Sequence, residues 1–251
     1  MMRLLLIFCL FACIANAQTR TDVRLQRKVE TLLQGFRGVA GVYIKDLKTG
    51  KTVNILADTV FPTASMIKVP ILVGVMDQIA KGNLQYHQKL VYKDSLYYAG
   101  EDILGSFKHN EPIELSKVLM LMLTTSDNTA SLWLQSLAGT GTHINNLMEA
   151  LGLHQTRVNS RTPGREAYRS LYGWGQTTPR EMATLLEKIW RGEVISEAAC
   201  NRMLRLLSRN HWDEEALSAL PPTVAVFSKN GAVNASRSEV VLVQAPRHPY
   251  V

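Results

Sequence analysis

The chain has 251 residues, of which 46% are hydrophobic and 20% charged, and its net charge is +7. This composition supplies a buried core for one large domain or two small ones, and it excludes a disordered chain. The positive charge is scattered, without a basic stripe interleaved with aromatic residues, so the sequence does not indicate nucleic-acid binding. The six histidines are isolated and none has metal-ligand spacing, so neither a metal site nor a cofactor is predicted.

The first 17 residues have the pattern of a secretory signal peptide. Arg3 precedes an apolar run over residues 4–14, and residues 15–17 (Ala-Asn-Ala) form a small-x-small cleavage site. The run is too short to span a bilayer, and a buried N-terminal helix is the alternative. We therefore expect cleavage after Ala17, export to the periplasm or the medium, and no stable membrane insertion. Cys200 would then be the remaining thiol, so no internal disulfide is expected.

Taken in chain order, the periodicity predicts strands at both ends of the chain and helices between them. An amphipathic helix over residues 22–36 precedes a hairpin with strands over 39–47 and 52–56. Further helices are predicted over residues 117–124, 129–137, 144–151, 179–190 and 196–207, and further strands over 224–228 and 239–244. Residues 158–178 show no period, and a loop of that length in a compact domain is usually functional.

The order of these elements predicts an α+β fold. The simplest packing joins both chain ends in one antiparallel sheet, flanked by helices, with an all-helical lobe inserted and a site in the cleft between the lobes. The predicted parts are a signal peptide (1–17), a sheet lobe (18–63 and 208–251) and a helical lobe (64–207) with a long active-site loop (158–178). The chain stops at Tyr250-Val251, which resembles the start of another strand, so we expect the natural protein to continue.

Three short motifs recur in one order: Ser65-Met66-Ile67-Lys68, Ser126-Asp127-Asn128 and Lys229-Asn230-Gly231. A serine at a helix start lies at the positive end of the dipole, and a lysine three residues later lies on the same face. Burial and a second cation lower the pKa of such a lysine until it accepts a proton. Each motif alone also fits an ordinary structure: an N-cap beside a surface lysine, a helix cap, or a hairpin turn. Together they predict a serine acyl-transfer site.

This set of motifs resembles the class A β-lactamase-type serine hydrolases of the penicillin-recognising superfamily. The resemblance runs from about residue 22 to the end and includes Thr177-Thr178-Pro179 after the long loop. It implies a two-lobed fold, an acyl-enzyme on Ser65 and cleavage of the β-lactam amide. The expected partner is a small molecule, a β-lactam or a D-alanyl-D-alanine-like peptide, and the expected state is a monomer.

The first two motifs are expected to carry the acylation chemistry. Ser65 is the predicted nucleophile and Lys68 the group that takes its proton. Ser126 passes a proton to the leaving nitrogen, and Asn128 binds a substrate carbonyl and orients Lys68. Asp127 is expected to be structural.

The third motif is expected to bind the substrate. Lys229 is the predicted anion anchor and Gly231 lets a substrate lie close to the strand. The N–H groups of Ala232 and the nucleophile form an oxyanion hole, and Arg237 adds a carboxylate contact. Asn230 departs from the family pattern, which has Thr or Ser there, so an amide replaces a hydroxyl donor.

The long loop departs further from the family pattern. The family carries Arg-x-Glu-x-x-x-Asn there, with the glutamate activating the deacylating water. Here Glu166 is the available carboxylate, falls a few residues late and is followed by no asparagine at that spacing. It is the predicted deacylation base, and a surface ion pair with Arg165 or Arg169 is the alternative.

Three functions follow from these patterns. The first, which we favour, is a β-lactam hydrolase that both acylates and deacylates. The second is a penicillin-binding or D-alanyl-D-alanine peptidase-like enzyme that releases its acyl group slowly. The third is an exported binding module without turnover.

Overall fold

The computed structural model describes residues 20–100 and 102–251. The predicted signal peptide therefore lies outside the described residues and stays a prediction. The α-helices are α1 (Val23–Leu32), α2 (Lys68–Ala80), α3 (Leu115–Met120), α4 (Asn128–Leu137), α5 (Thr140–Ala150), α6 (Glu166–Tyr172), α7 (Pro179–Trp190) and α8 (Glu197–Leu207). The strands are β1 (Val42–Lys45), β2 (Thr52–Ile55), β3 (Phe61–Pro62), β4 (Lys89–Val91), β5 (Pro112–Glu114), β6 (Arg157–Val158), β7 (Gly175–Thr177), β8 (Val226–Val233) and β9 (Ser236–Val243).

Both ends of the chain contribute to one antiparallel sheet. β1 pairs with β2, and β8 pairs with β9 along their whole length. Residues 249–251 lie between these hairpins: Val251 exchanges backbone hydrogen bonds of 2.8 and 3.0 Å with Lys45, and Tyr250 exchanges bonds of 2.8 and 3.1 Å with Val243. The predicted α+β fold is confirmed.

Helices α7 and α8 pack on this sheet. α7 contacts β1 and β9, while α8 contacts α7 and β8. Lys45 of β1 donates to both carboxylate oxygens of Glu187 on α7, at 2.8 and 2.7 Å. The predicted lobe boundary at residue 207 assigns α7 and α8 to the helical lobe, whereas in the structure both helices pack on the sheet.

Helix α2 lies at the centre of the molecule. Its residues from Lys68 to Asp77 are all buried, which is typical of a helix packed on every side. It contacts α4 and α5 on the helical side and α8 on the sheet side. The first residue of this buried helix is Lys68, so the fold brings that side chain to the junction of the two layers.

The long segment after β6 is structured, which corrects the expectation of a loop without elements. It contains α6, and β7 pairs with both β6 and β3. No residue of α6 is buried, so the helix has no apolar periodicity for sequence reasoning to detect. The Thr63 N–H donates to the Gly175 carbonyl at 3.0 Å and ties this segment to the chain just before Ser65.

Candidate active site

Ser65 and Lys68 lie on a tight turn that enters α2. Residues Ala64–Ile67 form a 3-10 helix, in which side chains at i and i+3 eclipse one another. The Lys68 ammonium consequently lies 3.1 Å from Ser65 Oγ. Ala64 has a φ of +44°, a strained value for an L-residue that only surrounding structure can maintain. Ser238 Oγ contributes by donating to the carbonyl of Thr63 at 2.8 Å.

Ser126 follows a short π-helical turn, Leu121–Thr125, and has a left-handed backbone (φ 64°, ψ 29°). Asp127 then caps α4, since its carboxylate accepts from Ala130 N at 2.7 Å and from Leu104 N at 2.8 Å. The motif thus includes a helix cap, as the alternative proposed, but only Asp127 serves it. The side chains of Ser126 and Asn128 turn instead toward Lys68.

Lys68 is fully buried and surrounded by oxygen atoms. Four oxygens lie within hydrogen-bond distance of its Nζ and share its three hydrogens: Ser126 Oγ at 3.0 Å, Asn128 Oδ1 at 2.9 Å, Ser65 Oγ and the carbonyl of Ser126. Burial lowers the pKa of Lys68 to about 7, and the positive charge of Lys229 contributes to the same shift. Both protonation states are therefore available at neutral pH, and the neutral amine is able to accept a proton from a serine.

Lys229 is also fully buried, in the middle of β8. The alternative of a Lys-Asn-Gly hairpin turn is wrong, because all three residues are paired with β9. Burial lowers the pKa of Lys229 to about 7, against the opposing effect of Glu239. Its Nζ donates to the backbone carbonyl of Asn230 at 2.8 Å and to Oδ1 at 3.0 Å. Since this contact takes the amide oxygen, Asn230 has its Nδ2 group to offer a ligand.

Gly231 allows β8 to approach the nucleophile turn. A Cβ at this position would lie 2.5 Å from the carbonyl oxygen of Thr63 and 2.7 Å from Ser65 N. The close approach of the chain itself is thus a sufficient reason for a glycine at this position, and the expectation that Gly231 lets a substrate lie close to the strand stays a prediction. The same contact places the Ser65 N–H beside β8, whose next residue, Ala232, is exposed.

Arg237 lies directly opposite Ala232 on the neighbouring strand. Its side chain is exposed, and its guanidinium donates to the backbone carbonyls of Val233 and Ser236. The structure thus places Arg237 beside the turn of the hairpin, and among the described residues it forms no hydrogen bond with Lys68 or Lys229.

Glu166 is the first residue of α6 and is exposed. Its Oε1 accepts from Gly164 N at 3.2 Å, and among the described residues it forms no hydrogen bond to the Lys68 cluster and no ion pair. Arg165, one of the two ion-pair partners named in the alternative, donates to Asn159 Oδ1 at 2.9 Å and to Gln176 Oε1 at 2.7 Å. The structure does not bring Glu166 together with the other predicted site residues.

Asp102 is a residue beside the site that sequence reasoning missed. Its carboxylate accepts from the backbone N–H groups of Asn128 and Thr129, at 3.0 and 2.7 Å, and from Thr129 Oγ1 at 2.9 Å. Asp102 therefore fixes the backbone at the end of the second motif, although it lies in a different segment of the chain. Asp102 belongs to no motif and lies in a segment without period, so the sequence carries no signal for this role.

An aromatic pair spans the two sides of the site. Tyr98 and Trp174 meet edge to face with ring centroids 5.1 Å apart. Tyr98 N donates to Thr129 Oγ1 at 3.0 Å, and the Trp174 carbonyl accepts from Asn159 N at 2.8 Å. The pair joins the segment before Asp102 to the long segment that follows β6.

Neither a metal centre nor a membrane span is found in the part of the chain that the structure describes. No cluster of three or more His, Cys, Asp or Glu side chains is arranged to hold a metal ion there. None of the described helices combines the length and the apolar character that crossing a bilayer requires.

Comparison with known proteins places the chain in a family. The family model described as the β-lactamase enzyme family matches residues 24–251. The β-lactamase ROB-1 of Haemophilus influenzae is 25% identical over 239 residues, which cover 93% of this chain and 77% of the relative. The β-lactamase VEB-1 of Pseudomonas aeruginosa is 31% identical over 127 residues, which cover 50% of this chain and 42% of VEB-1.

Solved structures agree with this assignment. A mutant of PBP-A, described as an acyl-enzyme complex with penicillin G, superposes with a TM-score of 0.82 at 27% identity and covers 92% of this chain and 86% of that one. The TLA-3 extended-spectrum β-lactamase gives a TM-score of 0.80 at 20% identity, with 90% and 86% covered, and supports the fold alone. The chain therefore belongs to the β-lactamase enzyme family and is a β-lactamase-type serine hydrolase.

Proposed function

We propose that this protein opens β-lactam rings through an acyl-enzyme on Ser65, in the manner of class A enzymes. One observation carries the proposal: the buried Lys68 amine, whose pKa is about 7, contacts Ser65 Oγ and Ser126 Oγ at 3.1 and 3.0 Å. A base between two hydroxyl groups serves both proton transfers of an acylation.

In the acylation step, neutral Lys68 takes the proton of Ser65 Oγ while that oxygen bonds to the lactam carbonyl carbon. The N–H groups of Ser65 and Ala232 stabilise the resulting oxyanion. The carbon–nitrogen bond then breaks, Ser126 donates its proton to the leaving nitrogen, and Lys68 returns a proton to Ser126. The products are a ring-opened ester on Ser65 and a neutral Lys68.

The third motif anchors the substrate carboxylate. The positive charge of Lys229 attracts the carboxylate, and the Nδ2 group of Asn230 supplies a hydrogen-bond donor where the family has a hydroxyl. Arg237, beside the turn of the same hairpin, reaches the carboxylate by a change of rotamer. Asn128, beside Lys68, is available for a substrate amide or carbonyl.

Hydrolysis is completed when water attacks the ester carbonyl and releases Ser65. Glu166 would need to leave Gly164 and turn inward to activate that water. This exposed position is the observation that favours the second candidate, a penicillin-binding or D-alanyl-D-alanine peptidase-like enzyme with slow release. A binding module without chemistry does not require the buried amine between two serines.

The test mixes the purified protein with a chromogenic β-lactam and follows absorbance and intact mass together. Many turnovers per molecule, with a transient adduct, are expected of the hydrolase. A stable adduct at one equivalent would favour the second candidate, and no adduct at all would overturn the proposal. Ser65→Ala is the matched control, because it removes one oxygen and is expected to fold normally and form no adduct.

A further inference from the structure

Glu239 is a partly buried carboxylate next to the third motif, and the proposed chemistry does not use it. It lies on β9 directly opposite Asn230, so the two side chains share one face of the hairpin. One carboxylate oxygen accepts from Ala216 N at 2.9 Å. The other, Oε1, is buried and has no hydrogen-bond partner among the described residues. An acidic group left half-satisfied beside an anion-binding strand is costly and calls for a physical reason.

The reason lies in the neighbouring cation. Lys229 holds its ammonium against both oxygens of Asn230, and no carboxylate within ion-pair distance neutralises it among the described residues. Glu239 is the acidic group that acts on Lys229 through space, and it opposes the loss of the proton that burial favours. A carboxylate in direct contact with Lys229 would neutralise the positive charge that is to bind a substrate carboxylate. A carboxylate at longer range stabilises that charge without neutralising it.

We propose that Glu239 is a positioning residue for the anion anchor, which keeps the charge on Lys229 and thereby holds Asn230 with its amide group toward the substrate carboxylate. The inference deepens the proposed function and rests on it. Glu239 does not touch the substrate in this role.

The charges around this pair define the expected pH dependence. Glu239 on β9 opposes the lowering of the pKa of Lys229, and the charge of Lys229 adds to the effect of burial on Lys68 at the start of α2, where Asp102 and Asp127 oppose it. Burial raises the pKa of Glu239, and the charge of Glu215, before the 3-10 turn at Ala216–Ala219, raises it further. Acid therefore removes the charge of Glu239 and with it the difference from a glutamine, whereas the ionised carboxylate supports Lys229 at higher pH.

The test measures kcat and KM of Glu239→Gln for a carboxylate-bearing chromogenic β-lactam between pH 5 and pH 9. A shift of one unit in the pKa of Lys229 changes its charged fraction about tenfold above that pKa. KM should therefore rise about tenfold at pH 8 and approach the parent value at pH 5, with kcat changed less than about twofold. Glu239→Asp, which keeps the charge, should restore most of the affinity.

Glu214→Gln is the matched control, since Glu214 is an exposed carboxylate on the segment that contacts Glu239, and it should leave KM unchanged. A KM defect of equal size at every pH would show a packing role only and would overturn the proposal, as would an unchanged KM.

A second measurement separates this inference from the proposed function. The Lys229 side chain, followed by NMR in protein labelled at the lysine Cε carbons and assigned with Lys229→Arg, should titrate at lower pH in Glu239→Gln than in the parent. This result is expected whether or not the protein hydrolyses β-lactams. If the parent shows no turnover while the midpoint moves, the function fails and the electrostatic role stands. An unmoved midpoint overturns the role.

Discussion

Ser65 Oγ and Lys68 Nζ lie 3.1 Å apart because the chain between them forms a 3-10 turn. In an α-helix, residues three apart are offset around the axis, but in a 3-10 helix with about three residues per turn they eclipse. The turn therefore places the hydroxyl and the amine on the same side of the chain, within hydrogen-bond distance. The α-helix begins at Lys68, so the nucleophile itself lies outside the regular, fully buried part of the element.

Lys68→Ala should slow acylation of Ser65 by about 10²- to 10⁴-fold, because it removes the base that accepts the hydroxyl proton. Stopped-flow absorbance with a chromogenic β-lactam, combined with intact mass, measures this rate. Lys81→Ala is the matched control: it removes an exposed lysine at the other end of α2 and should acylate at the parent rate. Acylation of Lys68→Ala at the parent rate would exclude Lys68 as the base.

The protein should become more stable as pH rises through the neutral range. The pKa values of Lys68 and Lys229 are lowered from 10.5 to about 7 in the folded state, so between these limits the unfolded chain binds more protons. The free energy of unfolding then rises with pH, by at most about 1.4 kcal/mol per pH unit for each lysine. Urea unfolding of the parent and of Lys68→Met at pH 6, 7, 8 and 9 measures the effect.

The comparison depends on the difference between the two proteins, because other groups titrate in both. The slope of stability against pH should be smaller in Lys68→Met than in the parent over pH 7–9. Equal slopes would mean that Lys68 keeps its ordinary pKa in the folded protein.

Glu166→Gln should leave hydrolysis of the acyl-enzyme within about threefold of the parent rate, since the carboxylate is exposed and bonded to Gly164 N. The decay of the Ser65 adduct by intact mass after removal of excess drug measures this rate, and Glu197→Gln, at the start of α8, is the control. If the parent turns over but Glu166→Gln stops at the Ser65 adduct, the expectation is wrong and α6 reorients during catalysis.

Gly231→Ala should destabilise the protein and impair acylation together. The new methyl group would meet two backbone atoms, the Thr63 carbonyl oxygen and Ser65 N, which have no side-chain freedom to move aside. Overpacking of this kind typically costs about 1–3 kcal/mol, and here it also displaces the nucleophile. Thermal unfolding and adduct formation measure the two effects, and Gly100→Ala, where an added Cβ meets nothing, is the control. An unchanged acylation rate would show that the backbone at Thr63 and Ser65 moves aside without displacing the nucleophile.

The sequence predicted elements well wherever one face is apolar and failed where that signal is absent. The amphipathic helix over residues 179–190 has the bounds of α7, and Thr178 caps it as such patterns lead one to expect. By contrast α6 buries nothing and went unseen. β8 was predicted over 224–228 but extends to Val233, because its second half carries the polar motif in place of alternating apolar residues.

The sequence predicted those site residues that belong to the three motifs. Ser65, Lys68, Ser126 and Asn128 come together as the three-motif pattern led us to expect, although their roles remain proposals. The backbone that aligns them was not predictable, since the π-helical turn before Ser126 has no distinctive composition. Glu166 was selected as the available carboxylate of the long loop, and the sequence carried no signal that α6 would leave its side chain exposed, so its role stays a prediction.

Asp102 couples two properties of the cleft, the position of the backbone at Asn128 and the basicity of Lys68. Its carboxylate anchors the backbone at Asn128 and Thr129, and its charge opposes the loss of the proton from Lys68. Any redesign of the segment around Tyr98 and Asp102 to admit bulkier drugs therefore also retunes the basicity of the amine. Breadth of substrate range and optimum pH are expected to evolve together in this enzyme.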